Sequence, residues 1–167
     1  FLKMKTDEAV GMDENFGIMI KTISNQVLRG GKRARPLLTR LGFSLGGGKE
    51  TDEVIKASLF PELIHQYLLM HDDIVDRDLV RYGGDTLEVV FGKWFREKYR
   101  EESELQQHFG RSMAMLAGDH LRTLGYQALY ETEFDNNSKA KALKLMEEIL
   151  SDTFLGWQMQ YHLNFEE

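Results

Sequence analysis

Apolar residues recur at helical spacing almost from end to end of this chain, and glycine runs cut the pattern into pieces. Between residues 7 and 29, Val10, Ile18, Ile20, Ile23, Val27 and Leu28 recur at the helical interval. Gly30-Gly31 breaks that segment. A second helix is expected over about residues 32–45, with Pro36 in its first turn, where a missing N–H costs little. Gly46-Gly47-Gly48 ends it. Thr51-Asp52-Glu53 reads as an N-cap followed by acids in the first turn. A long helix is expected from there to about Leu79, through Val54, Ile55, Leu59, Leu63, Ile64, Leu68 and Val75. Residues 80–86 read as a loop, and 93–107, dense in both charge signs, as a solvated helix. Another apolar helix is expected over 110–130, then a turn at Asp135-Asn136-Asn137-Ser138 and a last helix from near Lys139. There is little β alternation, no internal repeat and no linker. The expectation is an all-α chain, with residues 1–167 forming one helical domain.

Composition narrows the function classes. A net charge of −6 disfavours nonspecific nucleic-acid binding. With no cysteine, disulfides, thiolate zinc sites and cysteine nucleophiles are excluded, and a reducing cytoplasm is the expected setting. No apolar run approaches the roughly 18 residues of a membrane span.

Two charged constellations carry the chemistry. Asp72 and Asp76 are spaced i,i+4, which puts both carboxylates on one helix face about one turn apart. His65 lies two turns earlier on nearly the same face. Stacked carboxylates repel unless a cation sits between them, and Mg²⁺ suits them because it takes oxygen ligands and bridges carboxylates to phosphates. The bland alternative is an acidic patch on a solvated helix. Apolar neighbours Leu68, Leu69, Met70, Ile74 and Val75 favour a site, since they imply a buried helix where unpaired charge is costly. The second constellation is Gly30-Gly31-Lys32-Arg33-Ala34-Arg35-Pro36, three cations at a glycine-broken helix start. Backbone N–H groups and the helix dipole favour an anion there, and arginine adds a fork suited to phosphate. Arg81 supplies a further cation beside the acids. Taken together these residues describe a metal-bridged anion site next to a lysine- and arginine-lined one.

The residues Gly31-Lys32-Arg33-Ala34-Arg35-Pro36, His65, His71-Asp72-Asp73-Ile74-Val75-Asp76, Arg81 and Ala117-Gly118-Asp119, with Gln158 more faintly, fall in an order and at separations that resemble the trans-isoprenyl diphosphate synthases. The resemblance implies an antiparallel helical bundle of the isoprenoid synthase type around an apolar cavity, usually a homodimer. It implies Mg²⁺-assisted ionisation of an allylic diphosphate and attack by the double bond of isopentenyl diphosphate. Asp72, Asp73 and Asp76 would be the catalytic carboxylates, with Asp72 and Asp76 the metal ligands. Arg81 would hold the allylic diphosphate; Gly31, Lys32, Arg35 and His65 would hold that of isopentenyl diphosphate; Gln158 would face the reacting end. Tyr67 and Leu68, just before the acidic motif, would form the floor that sets product length, at twenty or fifteen carbons. The plain alternative for Tyr67 is an interior aromatic with its hydroxyl paired.

The match has gaps. Tyr82 stands where the family usually has a second arginine, Gly83-Gly84-Asp85-Thr86 replaces a glycine-x-proline-threonine pattern, and Tyr161 stands where an acid often follows Gln158. The second aspartate-rich motif and the lysine-threonine segment before it are missing from these 167 residues, so a truncated fold is expected. Its uncovered apolar faces would call for a partner chain or a dimer. Three other readings compete: a noncatalytic or split-enzyme subunit, a class I terpene cyclase, and a metal phosphohydrolase built on His71-Asp72. The Lys32, Arg35 and His65 set argues against a cyclase, which has no second diphosphate to hold. No histidine precedes His65 to complete a phosphohydrolase site.

Overall fold

The computed structural model describes residues 1–100 and 104–164. Its elements run α1 (Leu2–Met12), α2 (Glu14–Leu28), α3 (Ala34–Leu45), α4 (Asp52–Ala57), α5 (Leu59–Val75), β1 (Val80–Arg81), β2 (Gly84–Asp85), α6 (Leu87–Tyr99), α7 (Glu104–Tyr130) and α8 (Asn136–Leu163). The all-α expectation holds, with one two-residue antiparallel hairpin as the exception.

Boundaries moved where local chemistry outweighed periodicity. The segment expected as one helix over 7–29 is two, because extended Asp13 interrupts it and caps α2 by accepting from the Asn15 N–H. The long helix expected from residue 52 to Leu79 divides at Ser58, whose hydroxyl bonds the Ile55 carbonyl, and stops at Val75. Residues 80–86, read as a loop, form the hairpin. The charged stretch 93–107 is shared between the end of α6 and the start of α7, with Arg100 in the left-handed region at φ 55 and residues 101–103 outside the described residues. Thr51 caps α4 as expected, and Pro36 sits in the first turn of α3. Asp135 caps α8, so the expected turn is the first turn of that helix.

The core is built on the pairing of α5 with α7. Phe60, Leu63, Ile64, Tyr67 and Met70 form the buried stripe of α5, at the i, i+3, i+4, i+7 spacing of one helix face. Ala114, Ala117, Leu121, Leu124 and Ala128 answer from α7. Small residues on α7 let the helices approach closely: a Cβ on Gly118 would stand 2.5 Å from the His71 ring. Ile20, Ile23 and Val27 of α2 and Leu87 and Phe91 of α6 complete the cluster. Helix α8 buries little by comparison, with Leu150 its one buried large apolar side chain. Leu145, Ile149, Leu155 and Met159 of α8 and Leu37, Leu38, Leu41 and Leu45 of α3 are exposed, in line with the expectation of uncovered apolar faces. No helix of the described residues is long and apolar enough to cross a membrane.

Candidate functional site

The buried stripe of α5 runs out at its C-terminal end, and the charged residues gather there. The Asp76 N–H donates to the Asp72 carbonyl at 2.8 Å, so the two carboxylates are one turn apart, as their spacing requires. Asp76 is the C-cap and is exposed, and Asp72 is half-buried. The expectation that apolar neighbours bury the whole cluster is corrected in this respect. The helix stops at Val75, so its last turn lies at the surface, and only Asp73 is buried.

Arg81 gathers the acids. Its Nε donates to Asp73 Oδ1 at 2.6 Å, and its Nη2 reaches Asp72 Oδ2 at 3.0 Å and Asp78 Oδ2 at 3.4 Å. Burial pushes the Asp73 carboxyl above its ordinary value, and the adjacent guanidinium only partly offsets this. Arg81 is placed by the hairpin, and the hairpin is tied down from α2. Arg29 Nη1 donates to the Asp85 carbonyl at 2.8 Å and the Arg81 carbonyl at 3.3 Å. Fully buried Thr86 closes the loop, its hydroxyl donating to the Asp78 carbonyl at 3.0 Å. Two non-glycine residues of this segment take left-handed backbone, Arg77 at φ 59 and Tyr82 at φ 53, as does Arg33 at φ 50 across the site. Strained conformations of this kind persist where surrounding structure holds them.

About two turns earlier on the same face of α5 lies a cavity of about 320 Å³ lined by Gly31, Lys32, Arg33, Ala34, Arg35, Glu62, His65, Gln66 and Tyr82. The segment before α3, the first turn of α3 and one face of α5 thus bring together Gly31, Lys32, Arg35 and His65. Gly31 has φ 104, a conformation an L side chain rarely adopts. Lys32 and Arg35 form no ion pair within the described residues. Arg33 does: it donates to buried Glu62 at 2.5 Å and also to the Val27 carbonyl. Burial, with the neighbouring Arg35 charge, lowers the His65 pKa from its ordinary 6.5, so the ring is neutral at pH 7 unless an anion draws a proton to it.

Gln158 lies on α8 and lines a groove of about 450 Å³ with Val75, Arg77, Arg111, Phe154 and Trp157, beside the acidic end of α5. Tyr67 is buried, with its ring 4.7 Å from the His71 ring and 6.3 Å from that of Phe154. Leu68 is half-buried against the core. The Tyr67 hydroxyl has no hydrogen-bond partner among the described residues, and burial raises its pKa. An apolar cavity of about 450 Å³, lined by Phe43, Phe60, Phe134 and Met146, holds no carboxylate; its one cation, Lys139, is bound to the Tyr130 and Thr132 carbonyls.

Three residues went unassigned in the sequence reading. Glu62, the partner of Arg33, gave no signal, because the pair spans 29 positions. Asp119 lies 3.5 Å from His71 Nε2, whose ring also meets the Met115 carbonyl at 3.2 Å, so this histidine ties α5 to α7. Tyr82 was visible only as a departure from the family pattern.

The sequence profile of the polyprenyl synthetases matches residues 18–167. This chain belongs to the polyprenyl synthetase family. It is 34% identical over 130 residues to the short chain isoprenyl diphosphate synthase of Methanocaldococcus jannaschii, covering 78% of this chain and 34% of that protein. Identity to the geranylgeranyl diphosphate synthase of Saccharolobus solfataricus is 33% over 133 residues, with the same coverages of 78% and 34%. Among solved structures, a geranylgeranyl pyrophosphate synthetase from the archaeon Geoglobus acetivorans superposes with a TM-score of 0.72 at 25% identity, covering 99% of this chain and 47% of that one. The fold is therefore that of a polyprenyl synthetase, and the chain spans about a third of the length of these curated relatives and about half of the solved one.

Proposed function

We propose that this chain supplies the metal- and diphosphate-binding part of a prenyltransferase that condenses isopentenyl diphosphate with an allylic diphosphate. One observation carries the reading: one face of α5 presents carboxylates at its C-terminal end and, about two turns earlier, lines a cavity with Lys32 and Arg35, which form no ion pair among the described residues. Such a pair of sites suits two diphosphates, one held through a metal and one held by cations directly.

Asp72 and Asp76 would hold Mg²⁺. No group of three or more histidine, cysteine, aspartate or glutamate side chains is arranged for a metal among the described residues. Two carboxylates a turn apart still fit this ion, which is commonly bound by one or two carboxylates with substrate phosphates completing the shell. When bound, Mg²⁺ would neutralise the departing diphosphate. Arg81, buttressed by Asp73, would orient Asp72 and offer its remaining donor capacity to the allylic diphosphate. Lys32, Arg35 and His65, around Gly31, would hold the diphosphate of isopentenyl diphosphate. Gln158 would flank the reacting end. Tyr67, with Leu68 beside it, would limit the chain to fifteen or twenty carbons. We place the reaction in the cytoplasm and residues 1–167 in a single domain that pairs with a second copy.

A second reading, a subunit that needs a partner carrying further metal ligands, is favoured by the exposed apolar side chains of α3 and α8. A condensation assay separates the two. The chain is given Mg²⁺, labelled isopentenyl diphosphate and dimethylallyl, geranyl or farnesyl diphosphate. Products of fifteen or twenty carbons, lost in Asp72→Ala and Asp76→Ala, support the enzyme. Absence of product, together with diphosphate binding that those variants lose, supports the subunit. Absence of both product and binding rules out either reading.

A further inference from the structure

The hairpin sends two consecutive side chains to different places. Arg81 turns to the carboxylates of α5. Tyr82, held in left-handed backbone, lines the basic cavity instead. Its ring lies so close to the Gly30–Gly31 backbone that a Cβ at Gly30 would stand 2.8 Å from it. The glycine pair that breaks the helix therefore also makes the seat for this ring. A Cβ at Gly31 would stand 3.4 Å from the Tyr82 hydroxyl, so the phenol oxygen lies beside the cavity's glycine wall. That hydroxyl has no hydrogen-bond partner among the described residues.

Arg33 is already committed to Glu62 and the Val27 carbonyl. What remains for an incoming anion is Lys32, Arg35, the His65 ring and one neutral O–H. The geometry points to Tyr82 as a specificity-determining residue of this cavity, its hydroxyl donating to an oxygen of the bound diphosphate. This deepens the reading of the cavity given above and rests on it. A phenol contributes a directional bond without a charge. Binding should therefore depend on where the anion's oxygens fall as well as on its total charge. A guanidinium at the same position would add charge attraction, which salt screens.

Calorimetric titration of the whole chain without Mg²⁺ tests this, with inorganic diphosphate and, separately, isopentenyl diphosphate, at two ionic strengths. Tyr82→Phe should weaken binding by about tenfold, the loss expected for a hydrogen bond to a charged group. It should leave the salt dependence and the far-ultraviolet circular dichroism unchanged. Gly30→Ala, which displaces the ring but keeps the hydroxyl, should weaken binding similarly. Tyr82→Arg should restore affinity and steepen its salt dependence. If Tyr82→Phe binds both probes as the parent does, while Lys32→Ala and Arg35→Ala bind weakly, the role of Tyr82 is overturned and the cavity remains a diphosphate site. If Lys32→Ala and Arg35→Ala also bind as the parent does, or if the parent binds neither probe, the cavity is not such a site and both claims fall.

Discussion

The two charged regions around α5 treat their charges in opposite ways. At the acidic end, one cation serves three carboxylates: Arg81 bonds Asp72, Asp73 and Asp78, and the arrangement is closed before any ligand arrives. At the basic cavity, Lys32 and Arg35 have no partners among the described residues, and the one internal pair, Arg33 with Glu62, lies at its inner wall. Burial explains the difference. Asp73 lies under the hairpin, where an unpaired charge is costly, so the chain supplies its counter-charge. Lys32 and Arg35 are exposed and keep their hydration until something displaces it. The acidic region is a preorganised scaffold with Asp76 left over, whereas the basic cavity is a set of charges held ready.

The largest effect should come from breaking the closed side. Arg81→Ala leaves Asp73 buried without its partner, and the loss should be about 3 kcal/mol in urea unfolding at pH 7. The sign with pH is definite. Asp73 titrates above its ordinary 3.8 in the folded protein, so its contribution is full below that value and is lost as pH rises through the raised one. Removing Arg81 raises the folded value further, so the deficit of the variant should shrink as pH falls toward 4. A deficit independent of pH would break the comparison.

Next in size, Asp72→Asn or Asp76→Asn should weaken Mg²⁺-dependent binding of an allylic diphosphate on the order of 100-fold, at or beyond the cost of losing a residue that supports a metal ligand. Binding of inorganic diphosphate without Mg²⁺ should not change. Equal losses in both titrations would show that the two regions are one site.

Glu62→Gln should act on the two properties in opposite directions. The Glu62 side chain is buried and the Arg33 side chain is about a third exposed, so the stability loss is discounted to about 2 kcal/mol. Freed of its partner, Arg33 should turn to the cavity and tighten diphosphate binding. A variant that is less stable and also binds more weakly would place Glu62 among the binding groups.

The smallest effect concerns His65. A bound anion favours the protonated ring and opposes the burial and the Arg35 charge that lower its pKa, so parent affinity should gain on that of His65→Gln by a few-fold as pH falls from 8 to 6. Comparison with the variant removes the diphosphate's own titration. Parallel pH profiles would exclude His65 from the cavity's charge.

Much of this was legible from residue order. The stripe Phe60, Leu63, Ile64, Tyr67 and Met70 announces the core face of α5, because side chains on one face recur at a fixed interval. The capping residues Thr51 and Asp135 act on groups three positions away, within reach of the local sequence. The same logic misplaced the first helix. The apolar pattern runs on past Asp13, but that side chain satisfies the Asn15 N–H best with the backbone extended. Arg81 was rightly placed beside the acids, whereas its engagement with three of them was not readable.

What the sequence by itself determined is the all-helical class, the i,i+4 carboxylates on α5 and the cationic start of α3, since each depends on neighbours within a few residues. Only the tertiary structure decided that Arg81 and Tyr82 part company across the hairpin, that Arg33 is spent on Glu62 while Lys32 and Arg35 are not, and that Asp73 alone among Asp72, Asp73, Asp76 and Asp78 is buried. Those outcomes depend on groups far apart in the chain competing for the same space and the same counter-charge, and only the packed helices settle which group is left in water.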